Sequence, residues 1–355
     1  MSNVYWPKIG YTPILYADLV SPLNVGTVIG TLHNISIADS SITEQYYSDT
    51  RIQGKIVTIC KNGESDGYID NARIRMILSI PTRDWSKTLI TGFVSGIEES
   101  DSDGFTKRTY NVESTIWGLS NHLMHIYVNV KNGDSLKAFL TNLLKNETKF
   151  QYNLSNAKDS TFGDTKVYDV GTSLLNIIME VNEKINRVDV DADGRLIFKP
   201  YADPKTISAS KTIDYEDHLT LTMEEMTKST NAFDRPGRTI VISRNGQQVI
   251  SSHYDPPATD ESSQQTRGWL MVKTAQYGGK KKEPTIQDLH NEATELWKNS
   301  QDKGIEYDVK TYFADYHAGE VINLIPRKRS SKKCLISSVD TSFGDFTQKL
   351  TCKEL

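Results

Sequence analysis

Cysteine is scarce in this chain: Cys60, Cys334 and Cys352 are the only three in 355 residues, far apart and outside any C-x-x-C spacing. An odd, scattered set excludes a disulfide framework and a zinc knuckle, and it fits folding in a reducing cytoplasm. Long apolar runs are missing as well. No stretch approaches the roughly 18 apolar residues that cross a bilayer, so no membrane segment is expected. Met1-Ser-Asn-Val-Tyr-Trp-Pro-Lys8 has neither the basic nor the apolar region of a secretory signal. Charge of one sign is not in excess either. The 41 Lys and Arg against 45 Asp and Glu leave a net charge of −4, and no global basic field argues for sequence-specific nucleic-acid binding.

The signatures of common chemistries are absent too. There is no G-x-S-x-G elbow, no G-x-G-x-x-G and no G-x-x-x-x-G-K-[ST], and Gly278-Gly-Lys-Lys-Lys282 lacks the P-loop spacing. His122-Leu-Met-His125 spaces two histidines three apart, without the His at i, i+4 and intervening Glu of a zincin. The other histidines (His33, His218, His253, His290, His317) stand singly. Pairing carboxylates into a glycosidase site takes a geometry that 45 scattered Asp and Glu residues do not reveal. The expectation is therefore no enzyme, no catalytic or metal-binding residues and no cofactor.

What the chain does have is β-patterned sequence at both ends. Val25–Ile37, Arg51–Cys60, Arg73–Ile80, Lys87–Ile97 and Phe105–Ile116 are rich in Thr, Val, Ile and Tyr, with Asn62-Gly63, Asp66-Gly67 and Asp103-Gly104 as turns between them. A small barrel or sandwich suits such spacing. Two helical stripes follow: Leu136, Phe139, Leu140, Leu143 and Leu144, then Leu174, Ile177, Ile178, Val181 and Ile185, with Asp134 and Thr172 as candidate caps. Asp203–Thr212 reads as a polar linker. Asn245-Gly246 marks a hairpin, Ser252–Gly268 a long mobile surface loop, and Pro284-Thr285-Ile-Gln-Asp288 the capped start of a third helix with Ile286, Leu289, Ala293, Leu296 and Trp297 on one face. Strands close the chain at Ile305–Phe313, Glu320–Ile325, Cys334–Asp340 and Phe346–Lys353.

The fold class is thus α+β, mostly β, with two small antiparallel β-barrel-like domains and an α+β insert between them. The expected boundaries are 1–120, then an insert over 121–212 (helices 135–145 and 172–186, hairpin 187–201), then 213–355 with a helix at 285–300. At 355 residues the chain is long enough for this.

Gly171–Tyr201 decides between a regulated protein and a scaffold. Asp189-Val-Asp191-Ala-Asp193-Gly194 opens as an EF-hand does, yet position 12, where a bidentate Glu completes the calcium shell, is Pro200. A second near-match, Glu99-Ser-Asp101-Ser-Asp103-Gly104, has Tyr110 there. Both read instead as hairpin turns, in which Asp tolerates turn geometry and Gly takes positive φ. Arg327-Lys328-Arg329-Ser-Ser-Lys332-Lys333 puts five cations in seven residues. It is a solvated hairpin tip or, on a sharper reading, a partner contact made by Arg327, Lys328, Arg329, Lys332 and Lys333. Without interleaved aromatics an acidic protein surface suits it better than nucleic acid.

Four segments, in order, resemble the baseplate hub proteins of bacteriophage tails, a family that includes the hubs of contractile tails and the N-terminal region of siphophage tail-associated proteins. Leu32-His-Asn-Ile-Ser-Ile-Ala-Asp-Ser-Ser-Ile-Thr-Glu44 looks like the early strand pair. Gly171-Thr-Ser-Leu-Leu-Asn-Ile-Ile-Met179 is similar to the insert's helix, and Asp191-Ala-Asp-Gly-Arg-Leu-Ile-Phe-Lys-Pro-Tyr201 to the hairpin after it. His317-Ala-Gly-Glu-Val-Ile-Asn-Leu324, Lys333-Cys-Leu-Ile-Ser-Ser-Val-Asp340 and Gln348-Lys-Leu-Thr351 look like the closing strands.

The resemblance implies a homotrimer whose subunits each give two similar barrels, forming a pseudo-sixfold ring that joins a hexameric tail tube to a threefold tip. The implied partners are the tail tube or distal tail protein, other baseplate or tail-tip proteins and the tape measure protein, with DNA only passing through the lumen. The implied location is the virion tail, after synthesis in the host cytoplasm. Leu355 follows straight after the strands, so a hub without an appended enzyme is expected. The alternative is a carbohydrate- or cell-surface-binding module of the tail tip using Trp6, Tyr46, Tyr47 or Trp269, and a third reading is a tail-associated peptidoglycan hydrolase.

Overall fold

A computed structural model describes residues 13–48, 50–216, 221–230, 235–245, 248–278, 283–300, 305–326 and 330–355. The expected class is observed: mostly β, with a large antiparallel sheet and an α+β segment inside the chain. Two compact units form, a larger one from 1–226 with 309–353 and a smaller one from 227–308.

In the larger unit the first strands are β1 (Ile14–Val20), β2 (Val28–Thr31), β3 (Ser41–Gln45), β4 (Ile52–Lys61), β5 (Arg73–Ile80), β6 (Trp85–Ser102) and β7 (Phe105–Glu113). Strict alternation builds β5: Ile74, Met76, Leu78 and Ile80 are buried, while Arg75, Ile77 and Ser79 between them are half-buried. The 18-residue β6 pairs β5 with its first half and β7 with its second, and its register shifts between Val94 and Gly96. The β6–β7 hairpin closes at Ser102 and Phe105 over Asp103-Gly104, as its turn chemistry predicts. Val25–Ile37 is not one strand. Val28–Thr31 pairs with β1, Ile35 makes an isolated bridge to Thr58, and a single 3-10 turn at Ile37–Asp39 then leads into β3.

The insert follows: α1 (Thr115–Asn121), β8 (Val128–Val130), α2 (Leu136–Glu147), β9 (Tyr152–Asn153), β10 (Lys166–Tyr168), α3 (Leu174–Val181), β11 (Asn186–Val190) and β12 (Leu196–Pro200). Its core joins Leu136, Leu140 and Leu144 of α2 to Leu174, Ile177 and Ile178 of α3 and to Val188, Leu196 and Phe198 of the hairpin. Both helices are capped one residue later than expected, by Ser135 accepting from Ala138 N and Ser173 accepting from Asn176 N, each at 3.2 Å. Helix α3 is also shorter than the expected 172–186. Asn182 turns its amide back to Ile178 O at 2.7 Å, and Lys184 takes a left-handed φ of 58°.

Two strands, β13 (Lys211–Asp214) and β14 (Leu221–Thr230), follow the insert. The smaller unit holds β15 (Arg238–Asn245), β16 (Gln248–Tyr254), α4 (Gln264–Arg267), β17 (Val272–Gln276) and α5 (Ile286–Asn299). The sheet order is β16-β15-β17, and Leu289 and Ala293 of α5 pack on Val241. Thr285 and Asp288 form the expected capping box, but Ile286 lies 67% exposed, outside the buried stripe. The β15–β16 ladder reaches the register Asn245↔Gln248, and Gly246 of the expected Asn245-Gly246 turn lies outside the described residues. The expected mobile loop at 252–268 is pinned instead: Arg238 binds both Asp255 oxygens at 2.6 and 2.7 Å, and Arg235 binds Glu261 at 2.9 Å.

The chain returns through β18 (Ile305–Tyr312), then β19 (Val321–Ile325), β20 (Lys332–Ser342) and β21 (Thr347–Glu354). β20 pairs β19 with its first residues and β3 with its last, in the register Ser338↔Gln45 to Ser342↔Ser41. The closing strands therefore extend the N-terminal sheet, giving the order β21-β20-β3-β4-β7-β6-β5-β1-β2 in the larger unit.

Candidate functional site

That pairing of β20 with β3 brings distant segments of the larger unit around a cleft of about 380 Å³. Its walls come from β3, the start of β6, the β11–β12 hairpin and the segment 313–318. Charges line it. His317 Nδ1 lies 2.9 Å from Glu44 Oε1 and its Nε2 lies 3.2 Å from Asp315 Oδ1. The Lys87 ammonium also binds Asp315 Oδ1, and the Ala318 amide donates to Glu44 Oε2 at 3.2 Å. Outside this chain of charges, Lys211 holds Glu320 at 2.9 Å and the Asp315 carbonyl at 2.9 Å.

Burial alone would pull the His317 pKa down, but its bonds to Asp315 and Glu44 outweigh that and raise it to about 9. The same His317 bond, with Lys87 beside it, holds the Asp315 carboxyl well below the usual carboxylate range. A raised His pKa stabilises the fold fully below its unfolded value of about 6.5, and that contribution is lost as pH rises through about 9. His317→Gln is thus expected to lower Tm most at pH 6 and to converge on the parent near pH 10. A Tm difference independent of pH would refute it.

His317 Nδ1 lies against Glu44, while its Nε2 lies near both Asp315 and, at 2.9 Å, the Lys87 ammonium, so the cluster ties segments of the larger unit together. Tyr46 extends the tie into the insert. The Arg187 guanidinium sits 3.6 Å over its ring, and Gly319, at φ 94°, leaves room for that ring, since a Cβ there would lie 2.8 Å from Tyr46 Cδ2. The segment His317-Ala-Gly-Glu320, singled out in sequence as one of the family-like motifs, thus has three packing roles, in the clasp, against Tyr46 and with Lys211.

The Asp189–Gly194 segment is the expected hairpin. Asp191 accepts from Arg195 N and Arg195 Nε, both at 2.9 Å, and Asp193 accepts from Arg195 Nη2 at 2.6 Å. The turn is also docked: Thr115 Oγ1 donates to Gly194 O at 2.6 Å.

Of the predicted partner-contact residues, Arg327, Lys328 and Arg329 lie outside the described residues. Lys332 and Lys333 begin β20, opposite Leu324 and Asn323, and Lys333 Nζ donates to the Lys205 carbonyl at 2.7 Å. Lys333 is half-buried and bonded within its own chain, so it is not a free cation at a tip. Of the aromatics, Trp6 lies outside the described residues, Tyr46 is covered by Arg187, Tyr47 is exposed, and Trp269 belongs to the smaller unit. His122 and His125 do meet an acidic group, missed in the sequence, with Glu147 of α2 at 3.5 and 3.9 Å. The Glu44–His317 pair was also missed, and a contact across 273 residues leaves no local signal.

Solved structures share this fold. The tail protein from Neisseria meningitidis MC58 superposes with a TM-score of 0.67 at 11% identity, over 97% of both chains. The 43 kDa tail protein of prophage MuSo2 from Shewanella oneidensis gives 0.64 at 8% identity, again over 97% of both. This chain has the fold of phage tail proteins. Prophage tail protein gp18 from Listeria monocytogenes EGD-e adds a TM-score of 0.53 at 10% identity, over 96% of this chain and 94% of that one. No family model matches the sequence, and no curated protein matches it either. At such identities the phage-tail likeness is carried by strand order and packing, not by shared side chains.

Proposed function

We propose that this chain is a structural hub subunit of a phage baseplate or tail tip, or of a similar injection particle. The observation that carries the reading is the phage-tail fold matched over 97% of both chains, with neither chain leaving a large region unmatched. The clasp at His317, which ties β3 and β6 to the segment 313–318, suits a part that works by shape. In this reading three subunits form a pseudo-sixfold ring that joins the hexameric tube to the threefold tip. The tube or distal tail protein, further baseplate or tip proteins and the tape measure protein dock on it, and DNA only passes through. A closed ring also covers sheet edges that would otherwise invite aggregation. The larger unit with its insert and the smaller unit are both carried by each subunit.

Light scattering of the purified protein is expected to give three times the chain mass, with threefold rings in electron micrographs. A strict monomer at high concentration with no ring would overturn the hub reading.

A further inference from the structure

The insert carries a second groove, of about 420 Å³, away from the charged clasp. Segment Ile126–Asn129 forms one wall and the outer face of α2 the other. Ala138, Asn142 and Asn146 recur every four residues, so they stack along one helical stripe, with the small Ala138 leaving space at one end. Tyr127 stands at the opposite wall and is 62% exposed. The side-chain amides of Asn129, Asn142 and Asn146 line the groove, and none has a hydrogen-bond partner among the described residues. Phe139 backs it, fixed edge-to-face on Phe162 with centroids 5.6 Å apart.

We propose that this groove binds a neutral saccharide. An exposed aromatic face beside several unpaired amides suits a pyranose, which offers an apolar C–H face and a rim of hydroxyls that both donate and accept. Each Asn amide supplies two donors and two acceptor lone pairs, so three of them can satisfy such hydroxyls in either direction. The volume lies within the ~300–1,000 Å³ of small-molecule sites. Charge selects against other ligands. No Lys or Arg lines the groove, while Asp134 and Glu147 do, so phosphate, teichoic or sialic polymers are repelled. The hub reading does not require this site, and the two stand or fall separately.

Saturation-transfer NMR with maltotriose and with triacetylchitotriose, on the full chain, tests it. Binding with Kd of about 1 mM by at least one of them is expected, weakened about tenfold or more in Tyr127→Ala and in Asn142→Ala. Tyr127→Phe, which keeps the ring, is expected to bind as the parent does, and Tyr47→Ala likewise. Circular dichroism melts confirm that each variant is folded. No saturable transfer from either sugar, or binding that survives unchanged in folded Tyr127→Ala, would overturn the proposal.

Discussion

Replacing Asp66 with alanine is expected to lower stability by about 4 kcal/mol, a fall in Tm on the order of 10 °C. Asp66 is almost wholly buried under the N-terminal sheet, where one carboxylate serves four groups. Thr58 Oγ1 donates at 2.7 Å, the Tyr110 hydroxyl at 2.5 Å, Tyr68 N at 3.3 Å, and Arg108 lies at 3.4 Å. Thr58 and Tyr110 are themselves fully buried, so alanine leaves two hydroxyls without an acceptor in a water-free place. Arg108 keeps its bond to Glu99 at 2.6 Å, which limits the loss on that side.

The pH dependence gives a second readout. Burial pushes the Asp66 carboxyl up, but the bonds from Tyr110 and Thr58 overcome it and hold it below its ordinary value. A depressed carboxyl stabilises the fold above its unfolded pKa, near 3.8, and the contribution fades as pH falls through the folded value. The Tm gap between parent and Asp66→Asn should therefore be wide at pH 7 and close in strong acid. Thermal melts across that range check it, and a gap that persists unchanged at low pH would refute the assignment.

Gly194→Ala is the second large effect, with an expected cost of about 3 kcal/mol. Two independent demands meet at this residue. Its φ of 80° belongs to the left-handed region, and a Cβ there would lie 2.7 Å from the Thr91 carbonyl oxygen. The obstacle is backbone in the middle of β6, so no side chain can rotate away. Ala at Gly104, which has a similar φ of 82° but open space around it, isolates the conformational part and is expected to cost about 1 kcal/mol. Equal melting temperatures for the two variants would show that the turn is not docked on β6.

The sequence carried local features well. Alternation at Ile74, Met76, Leu78 and Ile80 placed β5 to the residue, and Thr285 with Asp288 announced α5. Pro200 argued against a calcium loop, and Arg195, which holds Asp191 and Asp193, shows what those carboxylates do in the turn. Features that depend on partners were not legible. β3 is five residues of mixed burial, Ser41–Gln45, without alternation strong enough to mark it, and it is a strand because β4 and β20 flank it. The end of α3 is set by the Asn182 side chain competing for the Ile178 carbonyl, a choice that helical periodicity does not see. In the candidate site the basic run at 327–333 was visible by composition, whereas the clasp of Glu44, Lys87, Asp315 and His317 required the fold.

The pairing of β3 with β20 has a consequence for how the chain is made. Synthesis runs at about 5–20 residues per second, so after Gln45 leaves the ribosome its partner Ser338 follows tens of seconds later. Over that interval β4 can cover one side of β3 while the other keeps its backbone amides and carbonyls open to any strand it meets. Neighbouring chains on one polysome would carry the same unfilled edge at the same time, and a strand swapped between them is the natural error. The clasp at His317 forms only with this late step, so it locks the sheet after β20 has been made and gives the nascent protein no protection before then.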